Sequence, residues 1–174
     1  MDRPPPPRLL AIAGRSGGGK TRLVVRLLPC LKARGFRVAT LKHSHHTVDP
    51  DPPGKDSRLH REAGAAETVL ATPGRTVHIQ ETPDAEPALT DLLARLGAVD
   101  LVLLEGFKGA AVPRLEAWRP AAGEPPLAAA DPGAFRALAA PGAEAPVTIP
   151  VVDADAPWAV ADRVVAEAAP IAIP

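Results

Sequence analysis

The stretch LLAIAGRSGGGKT, residues 9–21, decides the fold of this 174-residue chain. Its first five residues are apolar, which predicts a strand buried on both faces. The next eight satisfy the pattern G-x-x-x-x-G-K-[ST] in full, and residues 21–33 continue with helical spacing of leucines up to a stop at Gly35. A phosphate-binding loop requires this order of strand, glycine-rich turn and amphipathic helix. The stretch therefore predicts a site for the phosphates of a nucleoside triphosphate, rather than a plain glycine-rich turn.

The residue types of this loop each have a chemical reason. Glycines let backbone N–H groups converge on the β-phosphate, and the following helix presents its positive N-terminus. Lys20 is placed to bridge the β- and γ-phosphates and is a predicted catalytic residue, while the Thr21 hydroxyl is placed to bind Mg²⁺. Arg15 is a catalytic candidate that would stabilise transition-state charge, within the chain or across a dimer. The predicted nucleotide ligands in the loop are Gly14, Ser16, Gly17, Gly18, Gly19, Lys20 and Thr21.

An acidic residue follows the clearest buried strand of the chain, residues 99–104, VDLVLL. Glu105 comes at the carboxyl end of this strand, where ligands bind in open α/β sheets. Gly106 then lets the chain turn away beside the nucleotide. We predict that Glu105 reaches the magnesium shell with Thr21 and takes part in catalysis; the alternative is a solvated loop acid. Asp100 lies at the other end of the strand and is expected to be a cap or a surface charge.

Three histidines follow the second predicted strand, residues 36–42, in the segment 40–46, TLKHSHH. One interpretation is anion recognition, in which Lys42, His43, His45 and His46 face phosphate. A second is a metal site, because His43 and His45 point the same way in an extended chain. The third is a polar loop without a ligand.

Basic residues are concentrated in the next predicted helix, residues 56–63. At helical spacing Ser57, His60 and Arg61 fall on one side. A solvated charged helix is the ordinary interpretation of such a pattern. Its position directly after the histidines makes a second anion site the alternative, with Arg61 as the candidate nucleotide ligand.

Further along the chain, strands and helices continue to alternate. Short strands are predicted at 67–71 and 75–80 around a turn at 72–74, and a helix from Thr82-Pro83 to Leu96. Residues 109–126 have little periodicity, 127–130 and 147–152 are candidate strands, and 157–168 is a terminal helix. This alternation predicts an α/β fold, a P-loop NTPase with a mostly parallel sheet and helices on both faces. We expect residues 1–7 to be a flexible leader and residues 8–174 to form one P-loop domain.

Composition and charge exclude several classes of protein. The formal net charge is +0 and aromatic residues make up 3%, so neither a nucleic-acid partner nor an anionic membrane is indicated. No apolar run approaches the roughly 20 residues that span a bilayer. The start, MDRPPPPR, lacks the apolar core of a signal peptide, and the one cysteine fits a reducing compartment. We expect a cytoplasmic protein.

Four segments taken in order resemble the MobB family, the adaptor proteins of molybdopterin-guanine dinucleotide biosynthesis. They are GRSGGGKT after one strand, LKHSHH after the next, PGKDSRLHREAGA and DLVLLEGFK. The resemblance covers residues 8–108 and, more loosely, the C-terminal stretch PVVDADAPWAVADRVV. A phosphate loop alone is shared by many unrelated proteins, whereas the ordered set is far more specific.

The resemblance implies a homodimer that binds GTP with Mg²⁺ and hydrolyses it slowly. It also implies that the protein acts together with the MobA-type guanylyltransferase, the enzyme that attaches GMP to molybdopterin. Molybdopterin itself is a further candidate ligand. No N-K-x-D sequence, the guanine reader of many GTPases, is present. The preference for GTP over ATP therefore comes from the resemblance, and Asp131 is a weak candidate for the base contact.

Two rival functions start from the same residues. A small-molecule kinase would use Arg58 and Arg61 as phosphate clamps on a lid. A GTP-dependent metal-delivery protein would use His43, His45 and His46 as ligands.

Overall fold

The computed structural model describes residues 6–44, 48–83 and 85–170. The chain divides into two compact units, Met1–His43 with Leu93–Pro174, and Ser44–Leu92. Most of the predicted leader, residues 1–5, and two of the histidines, His45 and His46, lie outside the described residues. That residues 8–174 form a single domain stays a prediction.

In the described residues the elements alternate along much of the chain. The helices are α1 (Lys20–Ala33), α2 (Asp56–Glu62), α3 (Leu89–Ala94), α4 (Leu127–Ala130) and α5 (Pro157–Glu167). The strands are β1 (Arg8–Ala13), β2 (Val38–Lys42), β3 (Glu67–Thr72), β4 (Arg75–Gln80), β5 (Leu101–Glu105), β6 (Arg114–Ala117), β7 (Ala137–Ala140), β8 (Val151–Asp153) and β9 (Ala169–Pro170).

The first unit is built on a sheet that, within the described part of the chain, has seven strands. Its order is β2-β5-β1-β6-β7-β8, all parallel, and β9 pairs antiparallel with the start of β1. Strand β1 lies in the middle, with Leu9, Leu10 and Ile12 fully buried. The register pairs Ile12 with Glu105 on one side and Ala13 with Glu116 on the other. The carboxyl ends of β1, β5 and β6 therefore lie along one edge of the sheet.

Helices cover both faces of this sheet. One face packs against α1 and α5 through Leu27, Leu31, Val160 and Val164, all fully buried. Alternate side chains of a strand point to opposite faces, and on the other face Leu138 packs with α4. Burying each leucine contributes about 1.5–3 kcal/mol relative to exposure. The predicted α/β fold with a mostly parallel sheet is confirmed.

The second unit contains α2 and an antiparallel hairpin of β3 and β4. The hairpin turns at Thr72 and Arg75, which are paired, through the dipeptide Pro73-Gly74. Gly74 has φ 83°, a conformation in which only glycine is unstrained. The hairpin is a sheet of its own, so β3 and β4 add nothing to the parallel sheet.

Three predicted elements were wrong in position or type. The third helix begins at Leu89 and not at Thr82, because Pro87 lacks an N–H and disfavours helix in the residue before it. Residues 127–130, LAAA, form a helical turn instead of a strand, in line with the high helix propensity of alanine. The strand expected at 147–152 starts only at Val151, directly after Pro150.

Three strands, β6, β7 and the two-residue β9, were missed altogether. Strand β6 lies inside the segment 109–126, which had been expected to be irregular, and β7 is the alanine-rich run ALAA. None of the described helices has the length and hydropathy needed to cross a membrane.

Candidate nucleotide site

The predicted phosphate loop joins the carboxyl end of β1 to the first turn of α1. It is packed so closely against β6 that no side chain fits at two of its positions. A Cβ on Gly14 would lie 2.4 Å from the Ala117 carbonyl oxygen, and one on Gly18 would lie 2.8 Å from the same atom. The backbone of the loop at Gly14 and Gly18 therefore packs directly on the end of β6.

The N-terminus of α1 presents donors to this loop. Gly19 is the N-cap with φ 96°, and no side chain caps the first turn. The first N–H groups of a helix lack intrahelical partners and carry its positive dipole end, which suits a phosphate. The Lys20 ammonium donates to the carbonyl oxygens of Gly14, at 3.0 Å, and Arg15, at 2.8 Å. It is therefore held over the loop, with a positive charge added to that of the helix.

Three side chains from separate elements meet beside Lys20. The Thr21 hydroxyl donates to Glu105 Oε1 at 2.7 Å. The Lys42 ammonium lies 3.2 Å from the same carboxylate oxygen and 3.5 Å from Thr21 Oγ1. Glu105 is largely buried, with 12% of its side chain exposed, whereas Lys42 is 60% exposed. The Thr21 hydroxyl oxygen and Glu105 Oε1 thus both lie close to the Lys42 ammonium. Oxygen atoms are the ligands that Mg²⁺ prefers.

The turn after β5 fixes the position of Glu105. The His43 N–H donates to the Glu105 carbonyl oxygen at 2.8 Å. Gly106 has φ 92°, and a Cβ there would lie 2.5 Å from the His43 carbonyl oxygen. The His43 ring packs against Phe107, with ring centroids 5.6 Å apart. His43 is thus part of the packing that holds the carboxylate beside the loop.

The metal interpretation of the histidines stays a prediction: the described residues hold no group of three or more metal-binding side chains, but they include only one of the three histidines. His45 and His46 lie outside them.

Two further loop residues face solvent or a neighbouring segment. Ser16 is exposed in the turn of the loop. The Arg15 guanidinium lies 2.7 Å from a carboxylate oxygen of Glu124 and donates to the Pro125 carbonyl oxygen at 3.2 Å. In this structure Arg15 is therefore bound to the segment after β6, and its catalytic role stays a prediction.

Arg61 lies in the second unit, inside a cluster of carboxylates of the same unit. Its guanidinium donates to Glu81 at 2.7 Å and to Asp49 at 2.9 Å, with Asp51 at 3.5 Å. Hydrogen bonds from Arg61 to Glu81 and Asp49 raise the pKa of the guanidinium. A hydrogen bond from the Asp51 N–H, together with Arg61, lowers the pKa of Asp49. The described contacts of Arg61 are those of a structural ion-pair cluster, and its role as a nucleotide ligand stays a prediction.

Residues at the end of β6 were missed from the sequence. Glu116 is fully buried, and its two carboxyl oxygens accept hydrogen bonds from the backbone N–H groups of Leu127, at 2.7 Å, and Ala128, at 2.8 Å. The Arg119 side chain lies against Gly19 of the phosphate loop. The sequence of this strand, RLEA, lies between prolines and alanines. It is too short to show the alternation of apolar and polar residues that indicates a strand.

Comparison with known proteins assigns the family. The family molybdopterin guanine dinucleotide synthesis protein B, MobB, matches residues 9–140. A molybdopterin-guanine dinucleotide biosynthesis adapter protein from Escherichia coli is 45% identical over 121 residues, 68% of this chain and 69% of the relative. The protein of the same name from Haemophilus influenzae is 44% identical over 110 residues, 62% of this chain and 61% of the relative.

Solved structures agree with this assignment. A crystal structure of molybdopterin-guanine biosynthesis protein B matches 91% of this chain and 97% of that chain, with a TM-score of 0.66 and 26% identity. The segment that the family matches includes the phosphate loop, strands β2, β5, β6 and β7 and Glu105, whereas β8 and β9 follow its end. The chain therefore belongs to the MobB family, the adapter proteins of molybdopterin-guanine dinucleotide biosynthesis.

Proposed function

We propose that this protein binds GTP with Mg²⁺, hydrolyses it slowly, and assists the MobA-type guanylyltransferase that attaches GMP to molybdopterin. The observation that carries the nucleotide part is the convergence of Lys20, Thr21 and Glu105 at one end of a loop in which Gly14 and Gly18 have no room for a side chain. The guanylyltransferase partnership, the homodimer and the cytoplasmic location are supported by the family alone.

The residues divide the work in a simple way. The loop backbone and the α1 N-terminus hold the β-phosphate by N–H groups, and Lys20 offsets the charge of the γ-phosphate. Thr21 and Glu105 provide oxygens for Mg²⁺, which when bound neutralises charge on the β- and γ-phosphates. Lys42, which pairs with Glu105 in the structure, would be a further positive charge available to the γ-phosphate.

Slow hydrolysis is expected because positioning and charge are supplied without an identified group that orients water. A kinase would instead transfer phosphoryl groups at roughly 1–100 per second. A transfer rate in that range to a small acceptor would contradict an adaptor role.

The test of nucleotide binding uses two lysines of the same helix. Lys20→Ala is expected to weaken binding of Mg²⁺–GTP by at least about tenfold, because hydrogen bonds to charged groups contribute about 1.5–3 kcal/mol. Lys32→Ala, at the exposed far end of α1, is the control and should bind like wild type. Equal affinities of the Lys20 variant and wild type, measured by calorimetry, would contradict the proposal.

The test of adaptor function is a pull-down with the cognate guanylyltransferase. Wild-type protein should retain the partner, and Mg²⁺–GTP should change the amount retained. The Lys20→Ala variant should not respond to GTP. Absence of any complex with purified partner would count against the adaptor role.

A further inference from the structure

A pocket opens beside the phosphate loop on the side opposite Glu105. In the sheet β5 lies on one side of β1, and β6, β7 and β8 follow on the other. The pocket is formed where these last three strands end; its cavity volume is about 20 Å³, so it is a cleft open to solvent and not an enclosed chamber. Its lining includes Gly18, Gly19, Trp118, Arg119, Ala154 and Asp155. The phosphate loop is therefore one wall of the pocket.

The direction of a bound nucleotide follows from the two ends of the loop. If Thr21 and Glu105 hold Mg²⁺ at the γ-phosphate end, as the proposed function states, the α-phosphate and nucleoside must leave on the other side of the loop. That side is occupied by this pocket. The inference rests on the proposed function in this respect.

Arg119 lies at the mouth of the pocket, close enough to Asp155 that its charge, after those of Arg26 and Arg22, helps to lower the pKa of that carboxyl. Its Nε and Cδ atoms are 3.2 and 3.3 Å from the point that a Cβ on Gly19 would occupy. The residue is half-buried, yet its guanidinium makes no hydrogen bond or ion pair with another described residue. Guanidinium has five donors, and removing them from water unsatisfied is unfavourable. A ligand with acceptor atoms or a planar ring would satisfy this group.

Asp155 presents a carboxylate on the other wall. Its Oδ1 accepts a hydrogen bond from Arg26 at 2.7 Å, while its Oδ2 accepts none from the described residues. The Asp155 N–H donates to Asp153 Oδ1 at 2.9 Å, and the same oxygen accepts from Gly142 N–H at 3.1 Å. Asp153 thus ties the segment after β7 to the segment after β8. The carboxylate of Asp155 is held in place by backbone and by arginine.

A carboxylate at this position discriminates between purines. Guanine presents two neighbouring donors, N1–H and the 2-amino group, which match the two oxygens of a carboxylate. Adenine presents an acceptor, N1, at the same edge, and a carboxylate repels it. We infer that this pocket holds the nucleoside of the bound triphosphate, with Arg119 lying over it and Asp155 accepting from guanine. Asp131, the weak candidate from the sequence, does not line the pocket.

The experiment separates the nucleoside from the phosphates. Affinities for Mg²⁺–GTP, Mg²⁺–ATP, Mg²⁺–XTP and Mg²⁺–tripolyphosphate are measured for wild type, Arg119→Met and Asp155→Asn. Arg119→Met should weaken both GTP and ATP about tenfold and leave tripolyphosphate unchanged. Asp155→Asn should weaken GTP about tenfold, leave ATP and tripolyphosphate unchanged, and strengthen XTP, because the amide donates to the 2-oxo group of xanthine.

Two matched controls exclude general loss of charge or of an ion pair. Arg136→Met removes an exposed arginine directly before β7, at the strand end opposite the pocket. Asp162→Asn weakens a different aspartate–arginine pair, that with Arg34 on the surface of α5. Both controls should bind all four ligands like wild type.

The outcomes distinguish this inference from the proposed function. Wild-type protein that binds neither GTP nor tripolyphosphate would overturn the proposed function and this inference with it. Wild-type binding with equal losses of GTP and ATP in Asp155→Asn, or with a loss of tripolyphosphate in Arg119→Met as large as that of GTP, would overturn this inference alone.

Discussion

At the scale of single residues, the site depends on atoms that leave no room for substitution. The Ala117 carbonyl oxygen lies directly under the phosphate loop, against Gly14 and Gly18. On the other side of the loop, Thr21 and Lys42 share one oxygen of Glu105. Steric fit governs the first contact and charge governs the second, so the two respond to different substitutions.

The steric contact is tested by Gly18→Ala. Its Cβ would lie 2.8 Å from the Ala117 oxygen and 3.1 Å from the Arg15 oxygen, and both are backbone atoms that must shift. Gly18 does not have a positive φ, so the variant tests space and not backbone strain. We expect a loss of about 1–3 kcal/mol in the free energy of unfolding and weaker GTP binding.

The control for this variant is Gly97→Ala, since Gly97 also lacks a positive φ and a Cβ there meets no atom within 4 Å. It should unfold like wild type in urea. Similar unfolding curves for both variants would contradict the tight packing of the loop on β6.

The charged contact is tested by Glu105→Gln. An amide is a weaker ligand for Mg²⁺ than a carboxylate, so the Mg²⁺ concentration that half-saturates GTP binding should rise about tenfold. Glu167→Gln, which changes an ion-paired carboxylate on α5, should leave this concentration unchanged. A titration in which Glu105→Gln follows the wild-type curve would exclude Glu105 from the magnesium shell.

At the scale of elements, a few buried or clustered charges decide how segments are held. Glu116, on β6, caps the first N–H groups of α4 and thereby anchors the segment that carries Trp118 and Arg119. In the second unit, Arg61 links α2 to Asp49 and Glu81 on the flanking segments. Each arrangement depends on a side chain that local sequence patterns would have assigned to solvent.

Glu116→Gln should destabilise the protein. The amide has one acceptor oxygen, so one of the two N–H groups would face the NH₂ group, and a lost buried hydrogen bond costs about 1–3 kcal/mol. In this variant, hydrogen exchange at the N–H group of Leu127 or Ala128 should accelerate. Glu144→Gln, at an exposed site, is the control. Unchanged stability and exchange in Glu116→Gln would show that the cap contributes nothing.

The acidic cluster of the second unit gives a pH dependence with a definite sign. The folded state lowers the pKa of Asp49, so the ionised form stabilises folding above the ordinary aspartate pKa of about 3.9. This contribution is lost as the pH falls through the lower folded value. The protection of amides in residues 48–83 from exchange, relative to an unfolded chain at the same pH, should fall below about pH 4.

In Asp49→Asn this loss of amide protection at low pH should be missing, because the side-chain amide does not titrate. Asp91→Asn, an exposed carboxyl on α3, should keep the wild-type pH profile. An Asp49→Asn profile that overlays that of wild type would contradict the assigned cause.

At the scale of the whole molecule, the phosphate loop and the proposed ligands Lys42 and Glu105 all belong to the first unit. Ligand binding to the folded state alone stabilises that state by about 2.7 kcal/mol at a concentration one hundred times Kd. We therefore expect Mg²⁺–GTP to raise Tm by several degrees and to protect amides of β1 and α1 from exchange. Lys20→Ala should lose both effects. A rise in Tm of the same size in that variant would mean that GTP acts elsewhere.

Local patterns determined much of this protein. The glycine and lysine spacing of residues 14–21, the apolar runs of β1 and β5 and the stop at Gly35 act over a few residues, so they can be read without tertiary structure. The rule that ligands bind at the carboxyl ends of parallel strands then predicted that Glu105 and Thr21 belong to one site. The structure brings these two side chains into hydrogen-bond contact.

Only the tertiary structure decided the rest. Strands β6 and β7 have only four residues each, and β7 is rich in alanine, a helix-forming residue. They become strands because parallel neighbours far away in sequence supply their hydrogen bonds. The pocket between Arg119 and Asp155 depends on those strands, so no local pattern reveals it. Short-range sequence preferences determine the phosphate loop. Long-range pairing of β6 and β7, whose own sequences do not favour strands, determines the structure beside it.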